Sequence, residues 1–409
     1  MSLTLRFAWR NLWRNRRRTL LTIVAVGFGV SLVIGSMSLR QGAYASVVDL
    51  AVHVMTGHVQ VQPRAYVDEP ILRHDIPQAS MLAQQLREQL PHAAVATRAN
   101  GFALLASERQ TLATSVIGVE VAREPQVSAI PGDVRTGRFL ESDTAQEIIL
   151  GEVLARNLEA KVGDVLTLLG TGRDGSVAAA TLTVVGVFRS GVPEIDRQLA
   201  QIPLSTFQQI FAMGDGAHAI VVRAEDRADV AVLRNRVQTG LAAQTGLTAL
   251  GWDELLPGTR ELIDFDFAAS FVFYIALIVV ITVGILNTFI MSVLERTREF
   301  GMVLALGIAP GQLVRVVLAE TVMLLMLGIA LGIFVGAAFD IYFLTYGFVI
   351  PGMAEIARGF GLPERLYPVM SASTLLTGPA LVLAFSLVVA SLPALRLRKL
   401  VPIEAMRSV

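Results

Sequence analysis

The chain has 409 residues, of which 53% are hydrophobic and only 17% are charged, and a soluble protein rarely averages so apolar. We therefore expect membrane-spanning segments before any is located. The 34 basic and 34 acidic residues cancel, which argues against a nucleic-acid-binding surface. There is no cysteine, which excludes a disulfide framework, a thiolate metal site, a cysteine nucleophile and a lipidated cysteine.

Residues 1–18 are strongly basic and carry interleaved aromatic and leucine side chains. The arginines are Arg6, Arg10, Arg14, Arg16, Arg17 and Arg18. This pattern suits a helix that lies on the cytoplasmic lipid headgroups. A basic flank that only orients the first span explains it equally well, and both interpretations stay open at this point.

Residues 19–39 form an uncharged apolar run about as long as a bilayer-spanning helix requires. Ala43, Tyr44 and Ala45 resemble a signal-peptide cleavage site, but the apolar run is longer than that of a usual signal peptide. We therefore predict an uncleaved first membrane span.

Residues 40–262 are polar enough to form a soluble lobe. Helical patterns occur at residues 40–55, 81–90 and 230–241, and strand patterns at 56–63, 93–119, 147–152, 162–168 and 181–188. Strand signals this dense, with glycine turns between them, predict a small barrel-like β subdomain inserted in a mixed α/β domain. We place the insert at residues 131–210, which leaves 40–130 and 211–262 for the mixed α/β part.

The second half of the chain carries three further apolar runs, at residues 263–294, 316–345 and 374–395. They are separated by a charged segment at 295–315 and a short loop at 346–373, and a basic tail follows at 396–409. Because Lys and Arg concentrate near the cytosolic ends of spans, we predict both termini and the 295–315 segment in the cytosol and the lobe outside.

The 295–315 segment predicts a short amphipathic helix at the end of a helical hairpin. Phe300, Val303 and Leu304 share one face, which Met302 and Leu306 widen, and this face suits either lipid headgroups or a groove in a partner. Gly307 can adopt the left-handed conformation that ends a helix. Pro310 suits the first turn of the next helix.

Small residues recur at helix-packing spacing within the spans, and such faces let two backbones approach closely. They are Gly27, Ser31 and Gly35 in the first span, Gly284, Thr288 and Ser292 in the second, and Gly328, Gly332 and Gly336 in the third. Gly is common in membrane helices in any case, so a packing role and simple composition both remain open.

The chain has no nucleotide-binding GxxxxGK[ST], zinc-binding HExxH or hydrolase GxSxG motif. Gly170–Ser176 is glycine-rich, but it lacks the lysine of a phosphate-binding loop, and we predict a hairpin turn there. The five histidines show no paired ligand spacing. Glu320, Asp340, Asp264 and Asp266 lie near the span ends and form no path across the membrane, so a proton-coupled transporter is not expected. We do not expect an enzyme.

The run ERTREFGMVLALG at residues 295–307, followed by Pro310 and a long apolar helix, resembles the coupling helix of ABC-transporter permeases of the MacB, LolC/LolE and FtsX superfamily. The resemblance extends over the whole layout, including PALR at 393–396 and PIEAMR at 402–407. One departure is Ala309, where the family often has a serine. Losing that hydroxyl removes a helix cap worth about 1 kcal/mol.

The resemblance implies a fold and a site. The fold is a membrane protein with four transmembrane α-helices and a large extracytoplasmic α/β domain between the first two, Porter-like at 40–130 and 211–262 and Sabre-like at 131–210. In that family the coupling helix docks on the ATPase subunit, so no cofactor is expected in this chain and ATP with magnesium is expected on the partner. The implied coupling residues are Glu295, Arg296, Thr297, Arg298, Glu299, Phe300, Gly301, Met302, Leu304 and Gly307.

The resemblance also implies partners and a function. We expect a permease subunit in the bacterial inner membrane that works with a cytoplasmic ABC ATPase dimer and with a second permease copy or a paralogue. A stand-alone layout favours lipoprotein release as by LolC/LolE, with a periplasmic lipoprotein carrier as a further partner, or export of an amphipathic substrate. The alternative is an FtsX-like signalling scaffold that controls an extracytoplasmic hydrolase. Neither the substrate nor the pairing of permeases can be read from the sequence.

Overall fold

A computed structural model describes residues 3–224, 230–241, 244, 246–349, 352 and 365–396. The chain divides into two compact units. The helical unit comprises Met1–Tyr44, Leu262–Val349 and Arg365–Val409, and the lobe is built on Ala45–Glu261. Most of the predicted tail, including the 402–407 motif, and residues 353–364 of the predicted short loop lie outside the described residues.

Helices form most of the described part of the helical unit and a smaller part of the lobe. In chain order they are α1 Leu3–Leu12, α2 Arg16–Ala51, α3 Arg64–Asp68, α4 Ala79–Gln89, α5 Glu124–Val127, α6 Glu152–Asn157, α7 Pro193–Gln198, α8 Leu204–Ile210, α9 Val230–Gly240, α10 Trp252–Leu255, α11 Pro257–Glu295, α12 Thr297–Ala305, α13 Pro310–Tyr346 and α14 Ala372–Arg396. A short 3-10 turn, Trp13–Asn15, joins α1 to α2.

Four of the described helices are long and apolar enough to cross a membrane, and each contains one of the four predicted spans. The first differs in length, because α2 continues for twelve residues beyond the predicted end at residue 39. Apolarity marks the part of a helix that suits lipid, whereas its length depends on backbone hydrogen bonding that polar residues also sustain. Before the second long helix, the short helix α10 ends at Leu255 and Pro257 begins α11.

The helical unit has a core formed by its four long helices. It contains Val26, Val30 and Ile34 of α2, Ile278 and Ile285 of α11, Leu325 and Ile329 of α13, and Val382 of α14. The small residues of α2 and α13 lie beside this core. The predicted class, four spanning helices with an α/β lobe between the first and second, is confirmed.

The lobe contains one mixed sheet of ten strands. They are β1 Val59–Pro63, β2 Ala93–Ala106, β3 Thr111–Val119, β4 Val134–Gly137, β5 Glu147–Gly151, β6 Val165–Thr171, β7 Val177–Phe188, β8 Leu199–Pro203, β9 Ala219–Ala224 and β10 Leu247–Gly251. Their order is β10-β1-β9-β2-β3-β8-β5-β7-β4, and β6 pairs with both β2 and β7.

The double pairing of β6 closes part of the sheet into a ring of β2, β3, β8, β5, β7 and β6. The side chains that point into the ring are aliphatic. Leu154 of α6 and Phe207 of α8 join the same core, together with Leu158 and Phe211, which directly follow these two helices. Phe207 and Phe211 stack with ring centroids 4.3 Å apart. A barrel-like β structure is therefore present, as the strand-rich sequence indicated.

The ring does not coincide with the insert predicted at residues 131–210. It also uses β2 and β3, which precede residue 131. The long strand β2 serves both parts, because residues 93–98 pair with β9 and residues 103–106 pair with β6. The β-rich part is therefore continuous with the rest of the sheet through shared strands, which a boundary drawn along the sequence cannot represent.

The other part of the sheet, β10, β1 and β9, is antiparallel and packs against α4 and α9. Leu82 and Leu86 of α4 and Leu233 and Val237 of α9 form a core with Val61 and Ile220 of the strands. The predicted helices at 81–90 and 230–241 and the predicted strand at 56–63 correspond to α4, α9 and β1. Gly172 and Ser176 close the β6–β7 hairpin with a backbone hydrogen bond of 2.8 Å, which confirms the predicted turn.

Candidate functional site

The site with the most specific sequence signal is the tip, which we define as residues 295–310 between α11 and α13. Gly307 has a φ of +88°, the left-handed conformation that a side chain would strain. Its N–H donates to the carbonyl oxygen of Leu304 at 3.0 Å, and the N–H of Leu306 donates to Met302 at 3.1 Å. These bonds end α12. Pro310 begins α13 directly after Ala309, which forms no side-chain cap.

The inner face of α12 is packed against the two helices that flank it. Phe300 is only 4% exposed and lies in a cluster with Phe289 of α11 and with Leu313, Val314 and Val317 of α13. Leu304 packs against the same cluster. Phe300 and Leu304 of the predicted face therefore point into the hairpin, whereas Val303 is only half-buried. The expectation that this face meets headgroups or a partner is wrong for Phe300 and Leu304, because the hairpin's own apolar side chains cover them. Met302 and Leu306, which widen that face, are exposed.

The outer face of α12 is the part left open. Met302 is 51% exposed, Leu306 is 84% exposed, and Arg298 and Ile308 are also exposed. Residues 298, 302, 305 and 306 follow helical spacing, so they form one face. A partner that docks on the tip would meet these residues, whereas Phe300 and Gly301 are buried.

An ion pair of Arg296 joins the start of α12 to α13. Its Nη1 donates to both carboxylate oxygens of Glu320, at 3.0 and 3.3 Å, and its guanidinium carbon lies 5.1 Å from the centroid of the Phe300 ring. Both members of the ion pair are largely buried. Removing one member of such a buried pair leaves the other charge uncompensated, so this contact fixes where the tip helix starts.

Two arginines of the N-terminal segment reach the tip from the other side. Arg14 Nη1 lies 2.9 Å from Glu299 Oε2, and Arg18 Nη1 lies 2.5 Å from Glu295 Oε2. The hydrogen bond from Arg14 lowers the pKa of the Glu299 carboxyl. Because these pairs are partly exposed to solvent, each is worth less than about 1 kcal/mol. The basic segment therefore contacts the tip, a role that neither sequence interpretation included.

The helix α1 itself has a packed face and an open face. Ala8 and Leu12 are buried, whereas Phe7 and Trp9 are exposed. Trp9 and Trp13 contact edge to face, with centroids 5.9 Å apart. Exposed aromatic side chains beside arginines are typical of a helix at a membrane surface, so this face agrees with the interfacial interpretation.

At the opposite end of the helical unit, polar side chains join three of the long helices. Ser38 of α2 donates to Asp340 of α13 at 2.5 Å, and both are fully buried. Arg40 Nη1 lies 2.7 Å from Asp266 of α11, which also accepts a hydrogen bond from Tyr44. The acidic residues near the span ends thus make local links between helices.

Only some of the predicted small residues lie where two long helices approach closely. A Cβ added at Gly328, Gly332 or Gly336 would lie 2.7, 2.6 or 3.0 Å from Val26, Val30 or Ile34, so α2 and α13 approach closely there. Gly27 and Gly35 lie on the same contact, against Leu331 and Phe339.

Gly284 and Ser31 differ from the other predicted packing residues. Among the described residues, no atom lies within 4 Å of a Cβ added at Gly284, and the side chain of Ser31 bonds back to Phe28 of its own helix. The close approach of α2 to α11 occurs instead at Gly29, whose added Cβ would lie 2.5 Å from Ile281. Spacing alone does not tell which glycine faces which neighbour.

Metal ligands do not gather anywhere in the described residues in groups of three or more. The most buried histidine, His218, accepts a hydrogen bond from the backbone N–H of Asn100 at 2.9 Å and stacks on Tyr66. Burial lowers the pKa of His218 to about 4, so its ring is neutral at physiological pH. It is a core residue of the lobe.

Two family models match the chain. The MacB-like periplasmic core domain matches residues 19–239, and the FtsX-like permease C-terminal domain matches residues 271–402. The first of these alone covers more than half of the chain.

Curated relatives agree with this layout. The macrolide export ATP-binding/permease protein MacB of Neisseria meningitidis is 23% identical over 412 residues, which cover 96% of this chain and 58% of that protein. The lipoprotein-releasing system transmembrane protein LolC of the same species is 20% identical over 314 residues, which cover 74% of this chain and 72% of that protein. The chain thus spans little more than half of the MacB relative.

Among solved structures, the periplasmic region of MacB from Actinobacillus actinomycetemcomitans is similar to part of this chain. It is 15% identical, with a TM-score of 0.38, over 51% of this chain and 94% of that one.

Proposed function

Because the chain belongs to the MacB, LolC/LolE and FtsX permease superfamily, we propose that it couples a cytoplasmic ABC ATPase to a conformational change in its lobe. The structure of the tip supports this proposal most strongly. Its helix α12 is fixed on its inner face by Phe300 and Arg296 and presents Met302 and Leu306 outward. A rigid element with one free apolar face suits docking to a protein partner.

The tip is also well placed to transmit force. It joins α11 and α13, which run without interruption for 39 and 37 residues. When ATP binding closes the ATPase dimer, the tip is displaced, and the two stiff helices carry the displacement to their far ends. The ion pairs of Arg18 with Glu295 and of Arg40 with Asp266 link α2 to α11 near each end, so these two helices tilt together.

Orientation follows from the charges. The arginines of residues 6–18 and those of the tip lie at the same end of the helical unit, where Arg14 contacts Glu299. Basic residues concentrate on the cytosolic side of a membrane. The proposal therefore places the tip and the N-terminus in the cytosol and the lobe in the periplasm, with the bacterial inner membrane between them.

We propose a lipid-like or amphipathic cargo handled by a pair of permeases. The described spans offer a polar solute few polar side chains, and the carboxylates of Asp340 and Glu320 in α13 bond to Ser38 and Arg296. The name of the LolC relative, a lipoprotein-releasing protein, supports lipoprotein release, and that of the MacB relative supports export. ATP and magnesium bind the partner ATPase in either case.

Reconstitution tests the proposal. The chain is purified with the ABC ATPase and any second permease encoded in the same genome that co-purify with it, and the complex is placed in liposomes with an acylated lipoprotein and a soluble acceptor. We expect ATP-dependent release of the lipoprotein. Activation of a periplasmic hydrolase without release would instead support the FtsX-like alternative. Absence of both, in a complex that hydrolyses ATP, would contradict coupling through this chain.

A further inference from the structure

The lobe carries an open cleft with a volume of about 1140 Å³. Its floor is the outer surface of the ring, formed by β2, β3 and β6, and its rim includes residues 70–73 and the β6–β7 hairpin. Ligand sites in proteins typically enclose about 300–1000 Å³, so the cleft is large enough for an extended small molecule.

The floor is apolar although it faces outward. Phe102 and Leu104 of β2 and Leu169 of β6 are exposed, Phe102 by 74%. Leu104 and Leu169 are direct partners across the two strands, so their side chains form one continuous patch. The neighbouring positions Leu105 and Leu168 fill the ring interior. Strands with one face in water usually alternate apolar and polar residues, and here both faces are apolar.

The charged residues of the described cleft lining are all arginines. Arg73, Arg98 and Arg173 line the cleft, and its described lining contains neither Asp nor Glu. Arg98 is bound to the buried Glu124, and Arg173 lies 3.0 Å from Asp75. Arg73 is different, because its Nε donates to the backbone oxygen of Arg173 at 3.3 Å and no carboxylate of the described residues lies within ion-pair distance of it. Its guanidinium therefore keeps donors that an anion can use.

We propose that this cleft binds an amphipathic anion, with an acyl chain on Phe102, Leu104 and Leu169 and a phosphate or carboxylate head at Arg73. The apolar patch can bind the acyl chain of the ligand. Arg73, which has no ion-pair partner among the described residues, can bind the anionic head, because guanidinium forms strong, charge-assisted bonds to such groups. Identifying this ligand as the transported cargo, or as part of it, rests on the proposed function. Binding itself needs no ATPase.

Because the chain has no cysteine, a thiol-reactive dye labels only a cysteine that is introduced into the cleft. Ala113, the β3 partner of Leu104, lines the cleft and is changed to cysteine and labelled with an environment-sensitive dye. The full chain in phosphatidylcholine nanodiscs is titrated with dodecyl phosphate and with the uncharged dodecyl maltoside. We expect saturable binding of dodecyl phosphate, and binding of dodecyl maltoside weaker by about tenfold or more.

Paired variants separate the cleft from the membrane. Arg73→Gln and Leu169→Gln should each weaken dodecyl phosphate binding by about tenfold, through loss of one charged bond or of the apolar contact. The matched controls Arg156→Gln and Val165→Gln change exposed residues that do not line the cleft. They should leave binding within about twofold of the unchanged chain.

Three results would overturn the inference. An equal dye response in all four variants would mean that the amphiphile only partitions into the nanodisc. Equal binding of dodecyl maltoside would remove the role of Arg73. A change in oligomeric state by Leu169→Gln, with binding unchanged, would assign the patch to a second copy of this chain. Since the titration contains no ATP, each of these results leaves the coupling function untouched, and a failure of coupling leaves the binding result untouched.

Discussion

The tip of the helical unit and the cleft of the lobe both expose large apolar side chains, but their surroundings differ. Leu306 directly follows α12, whose opposite face is buried, and Glu295 and Glu299 of the same tip pair with arginines. Leu169 lies in a concavity whose charged lining is arginine alone. An exposed apolar patch on a rigid helix suits a protein surface, whereas an apolar floor with a free cation suits an amphipathic anion.

The largest effect is expected when the tip helix is broken. Gly301→Pro removes a backbone hydrogen bond inside α12 and introduces a clash, at a cost of about 3 kcal/mol or more. We expect stimulation of the partner ATPase to be abolished while membrane insertion and dodecyl phosphate binding in the lobe persist. ATPase assays on the reconstituted complex measure this, and full coupling in the variant would refute the role given to α12.

A change on the outer face should uncouple the tip without unfolding it. Leu306→Asp puts a charge where the docking contact is proposed, and we expect about a tenfold loss of ATPase stimulation, since a few central apolar residues dominate such contacts. The matched control is Val177→Asp, an equally exposed residue of the lobe. Equal losses in the two variants would mean that the tip has no special part in docking.

Acidification should weaken the lobe through His218. Burial lowers the pKa of His218 to about 4 from 6.5, so the unfolded lobe takes up a proton before the folded lobe does. The contribution of the neutral ring is complete above pH 6.5 and is lost as the pH falls towards 4, by about 3 kcal/mol in total.

His218→Gln should therefore flatten the fall in lobe stability between pH 7 and 4.5, which thermal unfolding of the chain in nanodiscs measures. The control His92→Gln changes an exposed histidine and should keep the slope of the unchanged chain. An identical slope in His218→Gln would show that this ring does not govern the acid sensitivity.

The smallest effect is expected at the exposed ion pairs of the tip. Arg14→Gln removes a contact worth less than about 1 kcal/mol, so ATPase stimulation should change by less than about twofold at physiological ionic strength, where surface charges are screened. The difference should grow at low salt. A loss of about tenfold or more at physiological ionic strength would contradict this weak contribution.

The sequence predicted the features that depend on local signals. Apolar runs located the four long helices, and the glycine and proline at positions 307 and 310 located the end of α12 and the start of α13, because these residues restrict the backbone directly. The β6–β7 turn followed from its glycines in the same way.

The features that depend on distant contacts were missed. Phe300 and Leu306 are both apolar and lie in the same short tip, and only packing against Phe289 and Leu313 decides which of them is buried. Arg14 and Glu299 are 285 residues apart, and β6 closes the ring by pairing with the distant strand β2. Helical and strand periodicity does not indicate which distant residues will be in contact. The outer face of the tip and the cleft could therefore be recognised only in the folded structure.

We propose that the tip and the lobe lie on opposite sides of the membrane, and cysteine labelling tests this topology. Leu306→Cys and Val177→Cys each add one exposed thiol to a chain without cysteine. A membrane-impermeant maleimide applied to right-side-out vesicles should label position 177 and not position 306, and inverted vesicles should give the reverse. Labelling of both positions from the same side would contradict the account.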